Sequence, residues 1–314
     1  MTYSSGSTID ATDYNTFATN VNSVWNSYWG QTSVSAVSVG GTVTATQWAT
    51  LASTITNAYI HESGANPSVS SPSAGQTIAT ITNLTTAISY ITTYPLNAYA
   101  SGSQYTGWSG TNSKTTATGS GTAAWSITFY NDVTFASAAA RSYFFNAGGI
   151  IRLQFSKTST GTDIDPDWNG FATACGTLSF TGTSTSKTIA GVSYQGTNKT
   201  AGSGTPTTLA TNIGAAQLVG SNQEIFLQYL GGAYSGSYIQ MLAYNLASNV
   251  IRFTGYWAQP AVSGAGQTNN ISGGTAASGA TPGTAPCVIC TYFPPETSYI
   301  SNTWGTPTVA ASVA

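Results

Sequence analysis

Between Val133 and Lys157 the chain reads VTFASAAARSYFFNAGGIIRLQFSK, and these 25 residues constrain the fold more than any other stretch. Ser137 offers a side-chain oxygen to the first free amides of a helix over Ala138–Phe145. Asn146-Ala147-Gly148-Gly149 then supplies the left-handed exit at which helices stop. Beyond the glycines, Ile151, Leu153 and Phe155 alternate with Arg152, Gln154 and Ser156, the period of two of a half-buried strand. The spacing predicts a short helix tucked between two strands of a β-sandwich.

The rest of the chain divides into two patterns. In the first hundred residues the apolar positions recur at three and four. Tyr14, Phe17, Val21, Val24, Trp25 and Tyr28 predict a helix from about 12 to 29, with Asp10, Thr12 or Asp13 at its start and Gly30 at its end. Thr44-Ala45-Thr46-Gln47 fits a capping box that opens a second helix through Trp48, Leu51, Ile55 and Tyr59 to Gly64. Ile78, Ile81, Leu84, Ile88 and Ile91 form the stripe of a third, halted by Pro95. Val34, Val37, Val39 and Val43 around Gly40-Gly41 read as an extended arm or small hairpin, docked on the helices or on a neighbouring subunit.

From residue 101 onward short strands replace helices. Trp125, Ile127 and Phe129 alternate, as do Ile225, Leu227 and Tyr229. Tyr238–Tyr244 and Val250–Trp257 form a hairpin through Asn245–Asn249, and Cys287–Phe293 reads as a last strand. The expected fold is mainly β: an antiparallel β-sandwich (101–314) preceded by a small helical bundle (1–100), with a Gly/Ala/Ser-rich excursion at 261–286. That excursion reads as a linker by composition, held in place by its assembled context.

Charge sets limits on partners. Only 5% of residues are charged and the formal net charge is −2, against roughly 25% charged in ordinary soluble proteins. Seven lysines and arginines in 314 residues give no electrostatic footprint for a phosphate backbone, so nucleic acid is not expected as a partner. No run of about 18 apolar residues suggests a membrane span. Met1–Gly6 lacks the basic and apolar regions of a Sec-type leader, so synthesis and use without that export route is expected. Strand edges without Lys, Glu or Asp lack the usual deterrent to edge pairing, which favours permanent contacts between subunits.

Candidate chemistry is sparse. His61, the one histidine, has no nucleophile or orienting acid identified beside it and reads as a structural residue near a helix C-terminus. Cys287-Val288-Ile289-Cys290 has zinc and redox spacing, but only Cys175 and His61 remain as further ligands and the motif sits in strand sequence. Buried thiols or a local disulfide are expected. Asp163, Asp165 and Asp167 alternate like the start of a calcium loop, yet Trp168 stands where glycine is needed and no glutamate follows at the twelfth place. Asp167 is expected to cap a helix from Trp168 to Ala174. Glu224 has no motif that would pair it with an aspartate for glycoside hydrolysis. Arg152 and Arg252, in matching Ile-Arg contexts, are expected to find an acid or carbonyl partner. The eight tryptophans and eighteen tyrosines suit either sugar stacking or interface anchoring. No catalytic, cofactor-binding or metal-binding residue is assigned, and no cofactor is expected.

Several blocks together resemble a family of virion structural, tail-fibre-like proteins of tailed marine and cyanobacterial phages. They are Thr42-Val43-Thr44-Ala45-Thr46-Gln47-Trp48, Ile60-His61-Glu62-Ser63-Gly64, Phe135-Ala136-Ser137, Tyr143-Phe144-Phe145-Asn146-Ala147-Gly148-Gly149-Ile150-Ile151-Arg152 and Asp167-Trp168-Asn169. The resemblance spans roughly residues 5 to 257. It implies a non-enzymatic virion component, most readily of tail, neck or fibre, built from several copies and contacting other copies of itself and other virion proteins. Capsid decoration is the near alternative. A glycan-binding adhesin that uses exposed aromatics on host surface glycans is the competing class. The 261–286 segment and the CxxC depart from the family pattern.

Overall fold

The computed structural model describes residues 10–69, 71, 81–105, 124–158, 165–261 and 286–314. Met1–Gly6, Ile78, Asp163 and nearly all of the 261–286 excursion lie outside them.

Three helices come first: α1 (Ala11–Trp25), α2 (Ala45–Ser63) and α3 (Ile81–Thr93). Asp10 caps α1, its Oδ1 accepting from the amides of Thr12 and Asp13. Thr44 and Gln47 close the capping box of α2, which ends on left-handed Gly64. Tyr14, Phe17, Val21 and Val24 of α1 are buried with Trp48, Leu51 and Ile55 of α2 and Leu84, Ile88 and Ile91 of α3. Tyr28 leaves the predicted stripe: α1 ends at Trp25, and the tyrosine is 37% exposed on the following turn.

The valine segment is an extended arm on α1, not a hairpin. Asn22 donates through Nδ2 to the Val34 carbonyl and accepts from the Val34 amide, both at 2.9 Å. Asn15 holds Val37 in the same way, both bonds at 2.7 Å. The two asparagines are seven residues apart, two helical turns, so they project from one face. Each imitates a strand partner for one residue of the arm, and Val34 and Val37 are buried as a result.

The remainder comprises β1 (Trp125–Thr134), α4 (Ala138–Asn146), β2 (Ile150–Ser156), α5 (Asp165–Cys175), β3 (Thr177–Phe180), β4 (Lys187–Ile189), β5 (Val192–Tyr194), β6 (Thr197–Ala201), β7 (Thr208–Leu209), β8 (Gln223–Tyr229), β9 (Tyr238–Ala247), β10 (Val250–Gln259), β11 (Cys287–Phe293) and β12 (Thr308–Val313). One sheet has the order β12-β1-β10-β9-β8-β7 and the other β11-β2-β3-β6, while β4 and β5 form a separate ribbon. The pairings within these sheets are antiparallel. The fold is therefore a mainly β, sandwich-like arrangement with an N-terminal helical region. Helix α4, capped by Ser137 on the Ala140 amide at 3.0 Å, carries the chain from β1 in one sheet to β2 in the other.

Aromatic contacts join the two sheets. Phe155 of β2 stacks on Phe226 of β8 with ring centroids 5.5 Å apart, and Phe180 of β3 meets Phe253 of β10 edge-on at 5.1 Å. Trp168 of α5 stacks on Trp257 at 5.4 Å and lies 5.1 Å from Trp125. Burying each such ring stabilises by about 1.5–3 kcal/mol through area alone. This core is contiguous with that of the helices.

Three local expectations need correction. The β8 register shifts between Glu224 and Phe226, so Ile225 and Phe226 are both buried, and Leu227 and Tyr229 turn outward. A bulge adds one residue and reverses the faces beyond it. The hairpin strands run on to Ala247 and leave Ser248-Asn249 as the turn. Helix α5 begins at Asp165, which places Asp167 in its first turn instead of at its cap.

Candidate functional site

The outer face of the six-stranded sheet follows from strand register. With Ile127, Phe129, Phe253, Trp257, Ile239 and Met241 buried toward the core, alternation turns Tyr130 and Asp132 of β1, Arg252 and Tyr256 of β10, and Tyr238, Gln240 and Tyr244 of β9 the other way. Tyr229 of β8 lies directly opposite Tyr238, with centroids 5.7 Å apart, and is 48% exposed. The result is a half-buried layer of tyrosines on the outer face of the sheet.

Asp132 and Arg252 neutralise each other on this face, and the Glu224 carboxylate is held by a neutral amide. Arg252 donates from Nε and Nη2 to the two Asp132 oxygens at 2.6 Å each, and its guanidinium lies 5.1 Å from the Tyr130 ring centroid. The forked bonds hold the Arg252 pKa above its already high ordinary value. Glu224 accepts from Gln240 Nε2 at 2.5 Å. The face thus offers phenol rings and hydroxyls, with its carboxylates engaged by neighbours.

A second arrangement joins helices and sandwich. His61 is 2% exposed; its Nε2 lies 3.1 Å from the Ala147 carbonyl and its ring 4.9 Å from that of Trp29. Burial lowers its pKa to about 4. The neutral imidazole with its proton on Nε2 donates that bond. Gln31 pairs with the Ser301 backbone at 2.8 and 3.0 Å, and Asn146 donates to the Tyr28 carbonyl at 3.2 Å. Gly148, at φ +101°, lies where a Cβ would come within 2.5 Å of Ala98 Cβ. The Ile60–Gly64 and Phe144–Gly149 blocks, far apart in sequence, therefore meet in this junction.

Other candidates are placed as follows. Cys287 and Cys290 lie on opposite faces of β11: Cys287 packs with Ile289 and Ala311, and Cys290 faces the main core. Both are free and fully buried, so the local-disulfide alternative is excluded by geometry. Burial pushes both thiols up to about 12 and raises that of Cys175 further. Among the described residues no cluster of three or more His, Cys, Asp and Glu side chains could hold a metal ion, and no helix is long and apolar enough to cross a membrane. Arg252 finds its acid, but Arg152 lies 4.3 Å above the Phe293 ring with its Nε unbonded. Among the described residues Trp25, Trp29, Trp48, Trp125, Trp168, Trp257 and Trp304 are all buried, and the exposed large aromatics are tyrosines.

Sequence reasoning missed two features. Cationic side chains turn inward onto backbone carbonyls: Arg141 to Ala215 and Ser248, Lys187 to Phe145, and Lys199 to Ala174 and Gly204. Lys187 and Lys199 thereby serve the C-terminal ends of α4 and α5, where the helix dipole favours positive charge. Glu62 is 4% exposed, and neither of its oxygens has a hydrogen-bond partner. No family model, curated protein or solved structure matches this chain.

Proposed function

We propose that the chain is a non-enzymatic structural subunit of a tailed-phage virion, used in several copies in the tail, neck or fibre. The observation that carries this reading is the tyrosine face of the large sheet, with Asp132–Arg252 and Glu224–Gln240 paired inside it. A face with little net charge loses little by desolvation when another protein covers it, and tyrosines are favoured anchors in such contacts. The resemblance of the Tyr143–Arg152 and Ile60–Gly64 blocks to virion proteins supports the same reading, and placement in capsid decoration is its nearest variant. Immunogold electron microscopy of purified particles, with an antibody to this chain, tests it. Label on tail, neck, fibre or capsid is the expected outcome and assigns the place; consistently bare particles overturn the reading.

The exposed Tyr229 beside Tyr238 favours one rival, a glycan-binding adhesin in which paired rings stack on sugar. Retardation of the chain on a polysaccharide column, abolished by Tyr229→Ala, would favour that rival.

A further inference from the structure

We infer that β12 is a pairing edge for a second copy of this chain, the two β12 strands running antiparallel about a two-fold axis at Ala311. The inference rests on the multi-copy reading above and adds the surface and register by which copies meet.

The other edges of the two large sheets are short or partly occupied. The free side of β11 is bonded at its C-terminal end by residues 101–105: Tyr105 and Tyr292 exchange backbone bonds at 2.8 and 3.0 Å, and the Gly102 amide donates to the Pro294 carbonyl at 2.8 Å. Strand β7 is two residues long, and the Thr197 amide of β6 reaches the Ala210 carbonyl beside it at 3.2 Å. Strand β12 ends the six-stranded sheet, and among the described residues no strand pairs with its far side.

Alternation decides which groups point there. Thr128 and Ala314 exchange both backbone bonds at 2.9 and 3.3 Å, so in an antiparallel ladder residues 308, 310, 312 and 314 address β1. Val309, Ala311 and Val313 address the open side. Placed against itself about Ala311, this edge is self-complementary. Val309 meets Val313 of the second copy, Ala311 meets Ala311, and each donor and acceptor finds a partner. Between them Ala310 faces Ser312 in a non-hydrogen-bonded pair, where side chains are closest, and both are small. Native edges normally block such pairing with charge, proline or a bulge. Thr308–Val313 has none of these, and its register with β1 is unbroken. The axis is perpendicular to the sheet, so both tyrosine faces lie on one side of a continuous sheet.

The full chain with Ala310→Cys and Ser312→Cys, mildly oxidised, tests the register; all three native thiols are buried. A covalent dimer on a non-reducing gel is expected, with Ala310→Cys alone giving little, because residue 310 does not face itself. Light scattering of the unmodified chain should give at least twice its 32.2 kDa. Ala311→Pro, which removes an amide not used by β1, should give a monomer with unchanged circular dichroism. A monomeric unmodified chain at millimolar concentration overturns the inference, as does equal cross-linking by Ala310→Cys alone. If Ala311→Pro does not fold, the cysteine pair decides. Assembly that persists in folded Ala311→Pro overturns edge pairing and leaves the virion reading intact. Bare particles in electron microscopy overturn the virion reading and leave the dimer intact.

Discussion

Asp132 and Arg252, 120 residues apart in sequence, stand directly opposite each other on β1 and β10 and are joined by two hydrogen bonds of 2.6 Å. The fork matches carboxylate geometry and ties the first strand of the sheet to one of its last. The Arg252 side chain is 28% exposed and that of Asp132 21%, so solvent and salt take back much of the Coulomb energy. A double-mutant cycle with Asp132→Asn and Arg252→Met should give a coupling of about 1 kcal/mol. Coupling near zero in low-salt urea unfolding would contradict this.

His61 and Glu62, adjacent on α2, make stability depend on pH in opposite senses. Burial holds the His61 pKa near 4 instead of 6.5. The unfolded chain takes up a proton that the native one refuses, so stability falls as pH drops from 6.5 toward 4, by about 3 kcal/mol at most. Burial raises Glu62 from 4.5 to about 10. Here the native carboxyl keeps a proton that the unfolded one releases, and stability falls as pH rises through that interval. Glu62→Met, which also removes two unbonded oxygens, should gain about 1–3 kcal/mol at neutral pH. The gain should be larger at about pH 9 than at about pH 5 by denaturant titration.

Gly30 sits at φ +67°, with its Cβ position 2.3 Å from the Tyr143 ring of α4. Gly30→Ala should cost about 1–3 kcal/mol through backbone strain, with the ring clash in addition. Tyr143→Ala in the same chain should recover the clash and leave the backbone part. Calorimetry of the single and double variants separates the two contributions.

The three thiols should be silent toward an aromatic disulfide reagent in the folded chain and all react after denaturation. Cys287→Ser with Cys290→Ser should assemble as the unmodified chain does. Fast reaction of even one thiol under native conditions would contradict the burial of all three.

Features determined by near neighbours were legible in sequence. The Thr44–Gln47 box, Ser137 as a cap and the alternation of Ile151, Leu153 and Phe155 appear where expected. Features set by distant backbone were not. The Asn15 and Asn22 clamps on Val37 and Val34 look in sequence like ordinary polar positions on an exposed helix face. The β8 bulge leaves no local mark, and its neighbours Ile225 and Phe226 obscure which face is buried. Strands β4 to β7 contain too few apolar residues for a period to emerge. The tyrosine face was legible as composition only; its grouping depends on the register of β8, β9, β10 and β1.

The strand order has a consequence for biosynthesis. Strand β1 lies between β10 and β12, so it leaves the ribosome early and then waits for both neighbours until most of the chain has been made. The helices can form meanwhile, but the large sheet cannot nucleate from its own first strand, and high contact order slows its closure. During that interval the Trp125–Thr134 segment is a strand with one apolar face and two unsatisfied edges, so slower translation, dilution or a holding chaperone should improve the yield of folded chain.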